Sequence, residues 1–170
     1  MSAPSPPPLE VAAVLAALRE HDVKYVLVGG FAARLHGAVR VTSDVDVCPA
    51  WDRDNLTRLA SALRSLGATE KGTGIAPDAG LIYSMEITNW RTTAGDVDVL
   101  LGIPDKSRYE KAQYRQLHEQ ALAVQVGADT IEVAPLTAII RSKEIADRPK
   151  DREALPELYQ LADRGRQRPR

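Results

Sequence analysis

Cysteine, histidine and aromatic side chains are scarce in this 170-residue sequence: one Cys, three His, and Phe, Trp and Tyr together only 5%. The lone Cys48 excludes an intramolecular disulfide framework and reads as a small core residue in a reducing compartment. His21, His36 and His118 stand far apart and, with Cys48, match no zinc-binding spacing. No apolar run approaches the roughly 18–20 residues of a membrane span, and no basic-then-apolar secretion signal opens the chain. The expectation is a cytoplasmic protein with no membrane partner. Charge of one sign is missing too. The 22 Lys+Arg and 23 Asp+Glu leave a net charge of −1, so any nucleic-acid surface must be a local patch. What is present, 44% hydrophobic and 26% charged residues, is the composition of a folded domain, and the length favours one.

Residues 1–8 are proline-rich and predict an extended tail, 9–163 a single domain with C-terminal helices, and 164–170 a basic tail. Leu9 to Glu20 repeats apolar residues at helical spacing. Lys24 to Val28 is a short apolar run of strand type. Gly29-Gly30 ends it, and Phe31 to His36 predicts a short helix. Ser43 to Cys48 alternates polar and apolar residues, as a strand does. Asp52 is placed to cap a helix with the stripe Leu56, Leu59, Ala60, Leu63 and Leu66. Lys71 to Gly80 predicts a loop, and the alternation of Leu81, Tyr83, Met85 and Ile87 predicts a strand. Asp96 to Leu100 predicts another strand. Leu122–Val126 and Thr130–Val133 predict a hairpin, and Leu136–Ala146 and Arg152–Ala162 two closing helices. Helices interleaved with strands point to a small α/β or α+β sheet with helices packed on it.

The chemistry concentrates in Gly29-Gly30 and, 14 residues after Gly30, Asp44-Val45-Asp46. On a strand, i and i+2 share a face about 6–7 Å apart. Asp44 and Asp46 therefore present two carboxylates together, while Val45 and Val47 face the core. Like charges so close repel unless a cation lies between them, and hard oxygen ligands suit Mg²⁺ or Mn²⁺. Two such ions about 3.5–4 Å apart can activate a hydroxyl and steady a leaving pyrophosphate. Asp96-Val97-Asp98-Val99 offers a third acid; Asp98, deeper in the apolar run, is preferred to Asp96. The plainer alternative is an edge strand with a wet acidic face. A glycine pair between strand and helix lets backbone approach a phosphate closely, although a tight turn needs the same residues.

Val28-Gly29-Gly30-Phe31, followed by Arg40-Val-Thr42-Ser43-Asp44-Val-Asp46, resembles the signature of the polymerase-β-like nucleotidyltransferase superfamily, with Gly95-Asp-Val-Asp98-Val-Leu-Leu101 in the place of its third acid. Ser142-Lys143-Glu-Ile-Ala-Asp-Arg148-Pro-Lys150-Asp151, then Leu155-Pro-Glu-Leu158, is similar to the C-terminal motif of AbiEii/MenT-type bacterial nucleotidyltransferases, in which the Lys and the final Asp are functional. The resemblance implies an α/β (α+β) nucleotidyltransferase fold with a mixed sheet flanked by helices. It implies transfer of NMP from an NTP to a hydroxyl, favouring the 3′ end of tRNA, by the toxin of a toxin–antitoxin pair with a cognate antitoxin as partner. Asp44, Asp46 and Asp98 would bind Mg²⁺ or Mn²⁺, and with Lys143 form the catalytic set. Gly29, Gly30, Arg40, Ser43, Lys143 and Asp151 would contact the nucleotide. The rival readings are a small-molecule (aminoglycoside-like) or protein hydroxyl as acceptor, and, from another class, an inactive nucleotide-binding or antitoxin module.

Lys143 also stands out on its own pattern. Leu136, Ile139, Ile140 and Lys143 follow i, i+3, i+4, i+7, and an ammonium on an apolar stripe needs a partner. A nucleotide phosphate would serve; snorkelling at the stripe's edge is the alternative. Asp151 stands where it can either cap the last helix or orient Lys143. Arg40 is either a phosphate contact or a solvated loop charge.

Overall fold

The computed structural model describes residues 7–168. In chain order the elements are α1 (Val11–Glu20), β1 (Tyr25–Val28), α2 (Gly29–Leu35), β2 (Asp44–Pro49), α3 (Arg53–Ser65), β3 (Thr69–Glu70), α4 (Ala79–Ser84), β4 (Ile87–Thr92), β5 (Gly95–Leu100), β6 (Gly102–Pro104), β7 (Lys111–Gln113), α5 (Tyr114–Gln120), β8 (Leu122–Val126), β9 (Asp129–Val133), α6 (Leu136–Ala146) and α7 (Pro149–Gln167). Most of the proline-rich stretch, residues 1–6, lies outside the described residues. Helix α7 runs to Gln167, into the segment read as a basic tail.

Seven strands form one mixed sheet in the order β3-β4-β5-β2-β1-β9-β8, and β6 and β7 make a separate hairpin. Strand β2 is central: it pairs antiparallel with β1 and parallel with β5. Its alternation does two jobs at once. Val45 and Val47, with Val97 and Val99 beside them on β5, are fully buried. They join a core that includes Val14, Leu15 and Leu18 of α1 and Leu56, Leu59 and Leu63 of α3. The intervening aspartates line the opposite face. Trp90 is fully buried in the same core, and its indole N–H donates to the Thr88 hydroxyl at 2.9 Å.

The strand expected at 81–87 forms only from Ile87 onward. Asp78 instead caps the short helix α4 by accepting from the Leu81 N–H at 3.0 Å. Ile82 enters the core, while Tyr83 and Met85 stay exposed. The alternating pattern was accidental because the cap, not the periodicity, set the local structure.

Asp52 caps α3 by accepting from the Asn55 N–H at 2.9 Å. Asn55 is itself fully buried. Its side chain accepts from the Lys24 N–H at 2.8 Å and donates to the carbonyls of Lys24 and Ala50, each at 2.9 Å. One amide thus ties the start of α3 to the entry of β1 and the exit of β2. Asn55→Ala is expected to strand these groups and cost about 2–4 kcal/mol. Thermal unfolding should show a Tm lower by roughly 5–12 °C for a chain of this size.

Candidate active site

Strand β1 runs directly into α2, and Gly29 and Gly30 form the junction with no intervening loop. Gly29 has φ +72°, a region where L side chains are strained. A Cβ there would lie 1.9 Å from Asp46 Oδ2. A Cβ on Gly30 would lie 3.1 Å from Thr42 Oγ1. The glycine pair therefore leaves room for the acid leaning across the turn.

The β2/β5 register sets Asp44 opposite Asp96 and Asp46 opposite Asp98. Asp44, Asp46 and Asp98 each offer a carboxylate oxygen such that all three lie within 4.8 Å of one another. Asp96 is drawn off instead by Lys71 Nζ at 2.8 Å and Arg91 Nε at 3.4 Å. Thr42 Oγ1 lies 3.1 Å from both the carbonyl and the carboxylate of Asp44, to either of which it donates.

The cluster is electrostatically costly. Burial, the charges of Asp44 and Asp98 and a hydrogen bond shared with Asp98 push the Asp46 carboxyl up to about 8, with Lys150 acting the other way. Burial likewise raises Asp98, which Asn89 offsets by donating from Nδ2 to Oδ1 at 2.8 Å, while Asp44 adds to the rise. Three hard-oxygen donors at this separation, none of them in an ion pair among the described residues, fit a divalent ion of the Mg²⁺ or Mn²⁺ kind.

The C-terminal residues form a second group. Asp151 is fully buried. It accepts from Arg148 Nε at 2.7 Å, Nη2 at 3.2 Å and the Arg148 N–H at 3.1 Å, with Lys143 Nζ at 3.5 Å. Burial raises its carboxyl, but these donors and charges outweigh it and leave it below the ordinary value. Asp151 thus caps α7 and pairs with Lys143 at once. Lys143 lies mostly buried against α7 rather than free in solvent.

Arg40 spends its guanidinium on Glu153 at 2.9 Å, and the Val39 N–H donates to Glu157 at 2.6 Å. These two bonds pin the α2–β2 loop against α7. Ser43 is exposed immediately before β2. Lys150, Thr42 and Asn89 belong to the site's surroundings but carried no signal as site residues in the sequence. Lys150 sits at the amino end of α7, its charge reaches Asp46, and it makes no ion pair among the described residues.

No protein-family model matches the sequence, and no curated protein matches it. Solved structures do match. The lincosamide antibiotic adenylyltransferase LnuA, in its lincomycin-bound form, superposes with a TM-score of 0.63 at 14% identity, covering 91% of this chain and 99% of that one. The antibiotic-resistance factor ANT(2'')-Ia gives a TM-score of 0.53 at 20% identity, over 89% of this chain and 80% of that one. The Thermotoga maritima protein TM1012, assigned as a nucleotidyltransferase, gives 0.58 at 14% identity, over 88% and 90%. The chain has the nucleotidyltransferase fold. No helix among its described residues is long and apolar enough to cross a membrane.

Proposed function

We propose that the protein is a nucleotidyltransferase that moves NMP from an NTP to an acceptor hydroxyl. The observation that carries this reading is the convergence of Asp44, Asp46 and Asp98 from two neighbouring strands within 4.8 Å, packed against a glycine turn where a Cβ on Gly29 would collide with Asp46. The three carboxylates would hold Mg²⁺ or Mn²⁺, which when bound neutralises triphosphate charge and acidifies the acceptor hydroxyl. The Gly29-Gly30 turn admits the triphosphate close to the backbone. Lys150 adds positive charge on the α7 side. Lys143 and Asp151, paired together, hold the start of α7, where the charge of Lys150 reaches Asp46. Asp98 takes the hydroxyl proton; the acceptor oxygen bonds to the α-phosphorus as the bond to pyrophosphate breaks. The products are a phosphodiester on the acceptor and pyrophosphate.

For the acceptor, a small-molecule hydroxyl is the first reading. The antibiotic-modifying LnuA is matched over 99% of its length, so the chain has the extent of such an enzyme. Several C-terminal cations are already paired: Arg141 with Asp105, Arg148 with Asp151, Arg152 with Asp147 and Arg166 with Asp163. That leaves a sparse track for RNA phosphates. The 3′ end of tRNA, within an AbiEii/MenT-type toxin–antitoxin pair, is the second reading. It is supported by the C-terminal motif and by the unpaired Lys150.

The deciding experiment incubates the protein with each α-labelled NTP, Mg²⁺, and either aminoglycosides and lincosamides or total bacterial tRNA, beside an Asp44→Ala/Asp46→Ala control. Label on a small molecule, lost in the control, is the expected result. Label on tRNA would move the acceptor to the second reading. No label on these or on any component of a cell extract would overturn transferase activity in favour of an inactive nucleotide-binding module.

A further inference from the structure

Asp96 and Asp98 look interchangeable in the sequence, yet the sheet equips them differently. Strand β4 lies antiparallel to β5 with Arg91 opposite Asp96 and Asn89 opposite Asp98. Asp96 receives two cations, Lys71 and Arg91, and its charge is cancelled within the chain. Asp98 receives a neutral amide, the Asn89 Nδ2–H at 2.8 Å from Oδ1. An amide fixes a carboxylate by a directed bond without neutralising it. A lysine or arginine at position 89 would have fixed it equally well while competing with any cation the acids hold.

We propose that Asn89 is a positioning residue. By engaging one oxygen of Asp98 it sets the plane of that carboxylate and leaves its full negative charge to the space shared with Asp44 and Asp46. The inference rests on the reading of those acids as a divalent-cation site. Outer-shell partners of this kind typically contribute about 10–100-fold to metal affinity or activity. Asn89 is half-buried on the face of β4 that carries Ile87 and Arg91, away from the core-facing Thr88 and Trp90. Its replacement therefore leaves the packing of the sheet intact.

The test is calorimetric titration of the full chain with MnCl₂, for the wild type, Asn89→Ala, the bulkier donor-free Asn89→Leu, and Ile87→Ala as a neutral control on the same strand and face. Expected is a Mn²⁺ affinity weakened about tenfold or more in both Asn89 variants, within twofold of wild type in Ile87→Ala, and thermal unfolding of the metal-free proteins nearly unchanged. In turnover assays the Asn89 variants should lose kcat with the KM for NTP preserved. Affinity within twofold of wild type in the Asn89 variants would overturn the inference alone. So would an equal loss in Ile87→Ala, which would mean that β4 had merely loosened. A wild type that binds no Mn²⁺ would overturn the cation-site reading and this inference with it.

Discussion

Asp46→Asn is expected to abolish turnover and at the same time to stabilise the metal-free protein. Loss of a carboxylate from the acid cluster should lower kcat on the order of 10³-fold, about 4 kcal/mol of transition-state stabilisation. The gain in stability follows from the price of the cluster. An Asp titrates near 3.9 in an unfolded chain, whereas Asp46 in the fold is pushed up to about 8 by burial and by its acidic neighbours. A raised carboxyl contributes stability that is fully present below the unfolded value and is lost as pH rises through the folded one. Metal-free wild type should therefore lose Tm between about pH 4 and pH 8. Mg²⁺ should restore it at the alkaline end. Asp46→Asn removes the ionisation, so its melting temperature at pH 8 should exceed the wild type's on the order of 5 °C, with a flatter pH profile and little response to Mg²⁺. Differential scanning fluorimetry across pH, with and without Mg²⁺, reads all of this. A mutant that melts below wild type at pH 8 without metal would contradict it.

Gly29→Ala should be nearly as damaging to activity, for a steric rather than an electrostatic reason. The added methyl would meet Asp46 Oδ2 at 1.9 Å on a backbone with φ +72°. Left-handed backbone costs an L residue about 1–2 kcal/mol, and relief of the overlap requires Asp46 or the start of α2 to move. A total loss of about 2–4 kcal/mol is expected in chemical denaturation. A displacement near 1 Å at a reacting group is worth about 10²-fold in rate, so turnover should fall at least that far. Gly30→Ala, whose Cβ would stand 3.1 Å from Thr42 Oγ1, should be milder because a hydroxyl-bearing loop residue can yield. Equal activity in the two variants would contradict the assignment of the close approach to Gly29.

Much of the fold was legible because two periodicities are written into short segments. Val45 and Val47 between aspartates read as a strand with one wet face, and the α3 stripe behind Asp52 read as a capped helix. The segment 81–87 misled because a six-residue helix held by Asp78 needs no stripe. The β6–β7 hairpin and α5 were invisible, being too short to show a period. In the site, the acids could be found locally, since a strand places i and i+2 together. Asn89 could not be found, since its meaning depends on which residue of β5 it faces. Lys150 stayed hidden beside the more conspicuous Lys143, whose apolar stripe signalled a need for a partner; Asp151 was read as either a cap or that partner, and the structure has it do both.

The β2/β5 alignment also bears on how such a chain can drift over evolutionary time. A one-residue slip would turn every aspartate on the shifted strand to the core side. Single-residue insertions or deletions within 44–48 or 95–99 should therefore be purged. Segments such as 74–78 and 105–110, outside the main sheet, can lengthen or shorten more freely. Sequence identity can then fall far while the spacing within each strand is kept. A lineage of this kind is better traced by its rhythm of acid and valine than by residue-for-residue likeness.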